Sequence, residues 1–260
     1  MTSSGWPFSK PTVFTRVVAF LFLASFFLWS VTASALDTSV APGGNFDFSS
    51  WELQMCIGSP GSPKTESSSS LKGDGGFEDD QYFYTSSDDG ALVMKVPGSP
   101  SSSGCVTTTN SLHCRTELRE LGSWDPQDTN KLTVSLAVAQ ADDSEHGTVI
   151  GQIHIDDSVS TKPVIELYYN NKGVISAGVE QTRSGGNEKF TTFETTVPLG
   201  TKFTYEIEYS GGVLKVTVNG EEMTLDTYQL DSPKSYFKAG NYNQGSSPSE
   251  VHFYSISIEH

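Results

Sequence analysis

Positive charge is scarce in this sequence. Its 260 residues include 16 Lys and Arg against 31 Asp and Glu, which gives a formal net charge of −15. Nucleic acids and anionic membrane surfaces bind proteins through clustered cations, so this balance argues against either as a partner. A polyanionic ligand would have to meet a local patch of basic residues.

Charged residues of both signs are also few. They make up 18% of the chain, below the roughly 25% of an average domain. Glycine is abundant, with 24 residues, and Ser and Thr occur in runs, which favours short strands and turns and excludes a helical bundle. The 36% hydrophobic content still suffices for a core, so the chain is globular rather than disordered.

Cysteine and histidine are sparse. The chain has three Cys and five His, and no two His are spaced i, i+4, so we do not expect a Cys-based metal site. Three cysteines allow one disulfide with one thiol left over. We predict that Cys105 pairs with Cys114, because they flank a Ser/Thr/Asn stretch with little means of ordering itself. Cys56 lies in an apolar run and is predicted to be a buried free thiol.

Long hydrophobic runs are limited to residues 17–31. Two cationic residues precede this run and Ala-Ser-Ala follows it, a pattern typical of a secretory signal peptide cleaved after Ala35. The alternative is an uncleaved membrane anchor, but the 15 residues of the run reach only about 22 Å as a helix, short of the roughly 30 Å hydrocarbon core. We therefore predict a signal peptide over residues 1–35 and a secreted, extracellular mature protein.

The chain from residue 36 onward has the alternation of β-strands. In residues 203–209 apolar and polar side chains alternate, as in a strand with one buried face. Asn219-Gly220 supplies the tight turn of a hairpin. Similar alternating or apolar runs occur at 132–139, 149–155, 164–169, 174–179, 190–197 and 251–258. This series predicts a single all-β domain over residues 36–260, an antiparallel sandwich or jelly roll.

Two polar segments, 58–76 and 97–110, interrupt the series and are predicted to be long loops. Long ordered loops over a sandwich often wall a binding cleft, whereas mobile ones only decorate the surface. Both alternatives stay open at this point.

The segment RTELRE (115–120) carries an unusual set of charges. Period-two geometry places Arg115, Glu117 and Arg119 on one face, with Leu118 toward the core. We expect Glu117 to hold both arginines in fixed orientations while their outer donors stay free for a ligand carboxylate.

Two further segments carry polar residues on one face. In residues 151–155, Gln152 and His154 point to one face of the strand and the two isoleucines point to the other. In residues 236–244 four side chains share parity: Tyr236, Lys238, Tyr242 and Gln244. Taken singly, these patterns are also typical of a salt-bridged surface, a structural histidine and an amphipathic edge strand. Together they describe a sheet face whose polar groups solvation alone does not require.

These segments resemble a known family. RTELRE (115–120), QIH (152–154) and YFKAGNYNQ (236–244), in this order, are similar to the three signature segments of the polysaccharide lyase family 7 alginate lyases. NFDFSSWELQ (45–54) is similar to that family's first strand. The resemblance implies an all-β fold, a β-jelly roll sandwich of two antiparallel sheets, whose motif strands line a concave substrate cleft.

The resemblance also implies a reaction, the cleavage of the 1,4-glycosidic bonds of alginate by β-elimination. Removal of the C5 proton leaves negative charge on the adjacent carboxylate, which Arg115 and Gln152 would neutralise. His154, with a pKa of about 6.5 when unperturbed, would take that proton, and Tyr242 would protonate the departing O4 oxygen. The products would carry a C4=C5 unsaturated non-reducing end. No cofactor and no metal are implied.

The preference for guluronate or mannuronate blocks of alginate follows less directly from the resemblance. On mannuronate, Tyr242 could act as both base and acid, provided that Arg115 lowers its pKa from about 10 so that a phenolate forms. The middle residue of QIH is Ile153, which in similar enzymes accompanies action on guluronate or mixed blocks. We therefore expect a preference for guluronate or mixed blocks.

The other motif residues are assigned to substrate binding, with Glu117 as the orienting partner of the arginines. They are Glu117, Arg119, Lys238 and Gln244. The expected partner is alginate, and the enzyme is expected to be a monomer.

Other functions stay open. A non-catalytic carbohydrate-binding jelly roll would use the arginines and aromatics without the pair His154 and Tyr242, and a lyase could act on another polyuronate. A glycoside hydrolase would need two carboxyl groups across the scissile bond. Glu117 and Glu120 lie on opposite faces of one strand, and no other acidic pair stands out.

Overall fold

Strands dominate the folded chain. A computed structural model describes residues 1–5, 35–186 and 188–260. Residues 35–186 and 188–260 contain fifteen strands and three helices of four residues each. Ala35–His260 form one compact unit.

The strands, in chain order, are β1 (Trp51–Ser59), β2 (Ser62–Glu66), β3 (Phe83–Thr85), β4 (Leu92–Val96), β5 (Arg115–Glu120), β6 (Lys131–Gln140), β7 (Thr148–Ile155), β8 (Pro163–Tyr169), β9 (Val174–Val179), β10 (Lys189–Thr196), β11 (Phe203–Ser210), β12 (Val213–Val218), β13 (Glu221–Leu225), β14 (Ser235–Tyr242) and β15 (Ser249–Glu259). The helices are α1 (Pro42–Asn45), α2 (Ser68–Leu71) and α3 (Pro100–Ser103).

Two sheets form the sandwich. The front sheet has eight strands in the order β10-β9-β8-β7-β14-β5-β1-β2, and the back sheet has seven in the order β13-β12-β11-β6-β15-β4-β3. Each pair of neighbours in these orders is antiparallel. The predicted all-β jelly roll of two antiparallel sheets is confirmed.

The three motif segments become neighbours in space. β5 and β7 are far apart in sequence, yet both pair with β14 at the centre of the front sheet. Lys238 of β14 lies opposite Arg119 on one side and opposite Gln152 on the other. The long-range strand order therefore assembles one polar face from separate stretches of chain.

The core lies between the sheets. Leu118, Ile153 and Phe237 of the motif strands are fully buried there, as the parity argument predicts for the first two. Tyr205 of the back sheet donates its hydroxyl hydrogen to the Ile150 carbonyl at 2.8 Å. A Cβ at Gly151 would collide with this hydroxyl, so glycine lets the back sheet pack closely behind the motif strand β7.

The predicted loop 58–76 is only partly a loop. It contains the strand β2 and the helix α2, and β2 extends the front sheet at its edge. The side chains of β2 are exposed or half-buried, so they show no apolar alternation that would reveal a strand. In segment 97–110 the regular structure is the short helix α3.

The cysteines behave as predicted. Cys105 and Cys114 form a disulfide, and Cys56 is a buried free thiol. Burial raises the pKa of Cys56 to about 11, which keeps the thiol protonated and unreactive.

The apolar run of the predicted signal peptide falls within residues 6–34, which lie outside the described residues. Within the described ranges, none of the helices has the length and apolar character that crossing a membrane requires.

Candidate active site

The open face of the front sheet carries a cleft of about 450 Å³ over the motif strands. Six of the predicted catalytic and binding residues line it. They are Arg115, Arg119, Gln152, His154, Lys238 and Tyr242. The volume lies within the roughly 300–1,000 Å³ typical of ligand sites. The alternation predicted along β5 and β7 thus places the polar side chains of both strands that were predicted to act on substrate on the open face.

Glu117 is buried beneath the cleft and accepts hydrogen bonds from three of the side chains that line it. Its side chain is 1% exposed, and its carboxylate accepts hydrogen bonds from Arg115 Nη1 at 3.1 Å and Lys238 Nζ at 2.6 Å. Gln152 Nε2 donates to the other carboxylate oxygen. Burial opposes ionisation of Glu117, but the adjacent Lys238 and Arg115 cations outweigh it and hold the pKa of this carboxyl below its ordinary value. Glu117 therefore orients the substrate-binding groups, as expected, and does not itself line the cleft.

Arg119 does not share Glu117, contrary to the sequence-based expectation. Its guanidinium pairs with Glu52 at 3.2 Å and with Asp157 at 2.7 Å. Glu52 lies directly opposite Arg119 on β1, and cross-strand neighbours are closer than residues two apart along one strand. The residue opposite Glu117 on β14 is Gly240, which has no side chain and leaves Glu117 to the diagonal Lys238.

Arg115 keeps a donor beyond the one it gives to Glu117. Within the described chain its buried Nε has no hydrogen-bond partner. The guanidinium also lies 3.6 Å from the centroid of the Tyr242 ring, an arrangement that fixes both groups. The buried Nε is out of reach of a ligand, so the donors left for a ligand carboxylate are the Nη hydrogens that are not given to Glu117 or Ser111.

Lys238 is a buried cation in the floor of the cleft. Burial and the neighbouring Arg115 lower its pKa to about 8, against the opposing effect of Glu117. The amine therefore remains mostly charged at neutral pH and loses its charge in alkaline solution.

His154 is held as a neutral imidazole. Burial, followed by the charge of Lys238, lowers its pKa to about 4. Its Nδ1 lies 2.8 Å from the Ile155 carbonyl oxygen, which can only accept, so Nδ1 carries the ring hydrogen. Nε2 is then the nitrogen with a free lone pair. Stacking on Tyr236, at 5.1 Å between ring centroids, fixes the ring plane.

Tyr242 is a neutral phenol. The lowered pKa that the mannuronate route requires of it is not found. Burial raises its pKa, and Arg115 opposes this shift without reversing it. The hydroxyl lies 3.2 Å from the hydroxyl of Ser111, a residue that the sequence analysis did not identify.

Gln244 lies past the end of β14, where the chain has left the front sheet. Its side-chain amide donates to the Tyr242 carbonyl at 3.4 Å, and its backbone N–H donates to Asp142. The register of β14 against β7 shifts between Ala239 and Tyr242, so parity does not carry through to Gln244. Its predicted role in substrate binding is not supported by this position.

One end of the cleft is acidic, a feature that the sequence analysis missed. Glu166, Glu180 and Glu188 contribute to its lining. Glu166 lies opposite Gln152 in the pairing of β8 with β7, and a Glu in an otherwise apolar strand was the available signal. The Tyr168 hydroxyl lies 2.6 Å from Glu166 and 3.0 Å from Glu188.

This acidic cluster does not have the geometry of a glycoside hydrolase pair. Glu166 and Glu188 are hydrogen-bonded to each other, whereas hydrolase carboxyl groups stand at least about 5 Å apart across the scissile bond. In the described residues, no group of three or more His, Cys, Asp or Glu is arranged to hold a metal ion.

The Glu166 carboxyl should make stability depend on pH. Burial and the neighbouring Glu188 raise its pKa from 4.5 to about 8. Between these values the folded protein holds a proton that the unfolded chain has released. The contribution of Glu166 to stability is therefore fully present below pH 4.5 and is lost as pH rises toward 8, by at most about 1.4 kcal/mol per pH unit. Glu166→Gln should flatten this fall in a series of urea denaturation curves.

The matched control is Glu222→Gln, which changes an exposed carboxylate on β13. This control should keep the wild-type slope of stability against pH. An equal slope in wild type, Glu166→Gln and Glu222→Gln would show that Glu166 is ionised in the folded protein at neutral pH.

Comparison with known proteins agrees with the fold and the cleft. Residues 46–260 match the family model for alginate lyase. A curated alginate lyase from Klebsiella pneumoniae is 27% identical, over 85% of this chain and 90% of that protein. The structure of alginate lyase A1-II', a member of polysaccharide lyase family 7, is 30% identical with a TM-score of 0.72, over 85% of this chain and 98% of that one. Alginate lyase PA1167 from Pseudomonas aeruginosa is 30% identical with a TM-score of 0.69, over 82% and 99% of the two chains. The chain therefore belongs to the alginate lyases of polysaccharide lyase family 7.

Proposed function

We propose that this protein cleaves alginate by β-elimination in the cleft of the front sheet. The observation that carries the proposal is a neutral imidazole and a neutral phenol lining the same cleft as a fixed set of carboxylate-binding donors. A carbohydrate-binding module needs the donors and aromatic rings, but it does not need a buried histidine with a free ring nitrogen.

The first task of the cleft is to neutralise the uronate carboxylate. Arg115, Gln152 and Lys238 all donate to Glu117 before any substrate arrives, so their positions are already fixed. Donors that need no reorganisation stabilise the charge that develops when the C5 proton leaves. This stabilisation makes C5 acidic enough for a side-chain base.

The second task is the transfer of two protons. His154 Nε2 takes the C5 proton, the C4=C5 double bond forms as the C4–O4 bond breaks, and the Tyr242 hydroxyl gives its proton to O4. His154 ends protonated and Tyr242 ends as a phenolate, so one proton must pass between them or through water before the next turnover. Each group begins in the protonation state that its role requires.

The protonation states favour guluronate or mixed blocks over mannuronate. A route in which Tyr242 is both base and acid must start from a phenolate, and burial makes that state unfavourable. A variant of A1-II' with one histidine and one tyrosine replaced has been solved with the substrate GGMG, which supports alginate oligosaccharides as the substrate class.

The test is incubation of the purified protein with alginate while the ultraviolet absorbance of the C4=C5 bond is followed. Rising absorbance supports the lyase. New reducing ends without absorbance would point to hydrolysis, and binding without either product would point to a carbohydrate-binding module. The same assay on glucuronan tests the alternative polyuronate.

We also propose that the mature enzyme is exported and begins at Leu36. The support is the signal-peptide pattern that ends at Ala35. Expression in a secreting host followed by N-terminal sequencing of the protein from the medium should give the sequence Leu-Asp-Thr. Retention of the intact chain in the cell membrane would instead support an uncleaved anchor.

A further inference from the structure

The loop closed by the Cys105–Cys114 disulfide places a hydroxyl against the Tyr242 oxygen. Ser111 Oγ lies 3.2 Å from Tyr242 Oη and 3.0 Å from the His113 carbonyl oxygen. It accepts hydrogen bonds from Arg115 Nη2 at 3.3 Å and from the His113 backbone N–H at 3.2 Å. Ser111 therefore contacts the phenol and the guanidinium of the active site together.

The hydrogens at Ser111 can be counted. A serine hydroxyl has one hydrogen to donate and two lone pairs that accept. Arg115 and the His113 N–H fill both lone pairs, so Ser111 has no acceptor left for the Tyr242 hydroxyl. Its single hydrogen can point either to the His113 carbonyl or to the Tyr242 oxygen.

This count gives Ser111 a different role in each state of Tyr242. While Tyr242 is neutral, its own hydrogen is not taken by Ser111 and can point into the cleft. When Tyr242 has given up its proton, the Ser111 hydrogen can turn from the His113 carbonyl to the phenolate oxygen. A hydrogen bond to a charged oxygen is stronger than one to a neutral carbonyl.

We propose that Ser111 is a positioning residue that stabilises the negative charge on the Tyr242 oxygen while Tyr242 transfers a proton. The inference rests on the proposed lyase activity and assigns a function to the disulfide-closed loop. Its hydrogen bond forms only when the charge forms, so it stabilises the transition state more than the bound substrate.

Other charged groups around Tyr242 do not replace this contact. Arg115 lies over the face of the ring rather than beside the oxygen. Glu117 on β5 and Glu166 on β8 are acidic and disfavour a phenolate. The His113 ring meets the Tyr242 ring edge-on, at 6.1 Å between centroids. Ser111 is the group in this set that can donate directly to the oxygen.

The loop is anchored at both motif strands. Cys114 immediately precedes Arg115 of β5, and its carbonyl accepts a hydrogen bond from the Asn243 backbone N–H, just after β14, at 3.0 Å. The disulfide joins the start of the loop to this anchor. Ser111 is thus held against Tyr242 by covalent and backbone constraints.

The test compares Ser111→Ala with Thr109→Ala, which removes an exposed hydroxyl from the same loop. Ser111→Ala should lower kcat on alginate tenfold to a hundredfold, about 1.4 to 2.7 kcal/mol, with little change in KM. It should also move the pH limb that reports Tyr242 upward, because the phenolate loses its donor. The pH limb moves upward whether Tyr242 acts as acid or as base. Ser111→Thr should restore most of the activity, and Thr109→Ala should match wild type.

Two results would overturn the inference while leaving the lyase activity in place. One is a Ser111→Ala enzyme with the kcat and pH profile of Thr109→Ala. The other is a loss of activity with no shift of the pH limb and no rescue by threonine, which would indicate a structural role. Absence of any new ultraviolet absorbance from the wild-type enzyme would overturn the proposed function and this inference together.

Discussion

Tyr242→Phe is expected to abolish turnover of alginate while leaving substrate binding largely intact. The substitution removes one hydroxyl and keeps the ring that packs against Arg115. Without that proton the O4 oxygen must leave as an alkoxide, and loss of a general acid costs about 10²- to 10⁴-fold. The rate of ultraviolet absorbance increase gives kcat, and calorimetric titration with guluronate oligosaccharides gives Kd.

Tyr254→Phe is the matched control for this variant. Tyr254 lies on β15 of the back sheet, beneath the Lys202 amine and away from the cleft. Its replacement should leave both kcat and Kd at the wild-type values. A Tyr242→Phe enzyme with near-normal kcat would remove Tyr242 from the role of acid.

His154→Ala is expected to lower activity on guluronate blocks by about 10²- to 10⁴-fold, the usual contribution of a general base. The loss on mannuronate should be smaller if Tyr242 serves as the base there. His252→Ala, on β15 of the back sheet and bonded to Glu250, is the control and should be unaffected. Equal losses on both block types would contradict the division of roles.

The pH profile gives a second measure of His154. The base must be neutral, and burial lowers its pKa to about 4, so kcat/KM on guluronate should stay level through weakly acidic pH and fall only as pH drops through about 4. A limb near the unperturbed value of about 6.5 would show that the imidazole is solvated in the working enzyme.

Much of the fold could be predicted, because alternation is a local signal that the sandwich preserves. The segment 203–209 alternates in sequence and forms the strand β11 with one buried face. Strands without alternation were missed, such as β2, whose exposed edge position needs no apolar side chains. The order of strands within each sheet is a long-range property: parity indicated a shared polar face, and the family resemblance implied that the motif strands lie together in one cleft.

The site was predictable as far as parity and the motifs extend. Arg115, Gln152 and His154 line the cleft because alternation along β5 and β7 is regular. The pairing of Arg119 depends on Glu52 across the sheet, which no pattern along one strand reveals. Ser111 could not be identified either, since its position follows from the path of a loop rather than from a repeat.

The cluster of Glu117, Arg115 and Lys238 beneath the cleft has a fixed net charge. Glu117 cancels one of the two cations Arg115 and Lys238, whereas Arg119 belongs to a separate cluster with the two carboxylates of Glu52 and Asp157. Below about pH 8 the group of Arg115, Lys238 and Glu117 therefore keeps one unit of positive charge, beside the uncharged amide of Gln152 and imidazole of His154. One uronate brings this total to zero, whereas a methyl-esterified sugar of nearly the same shape would leave a desolvated cation without a counter-ion. The cleft is therefore expected to discriminate between these two sugars by their charge rather than by their size.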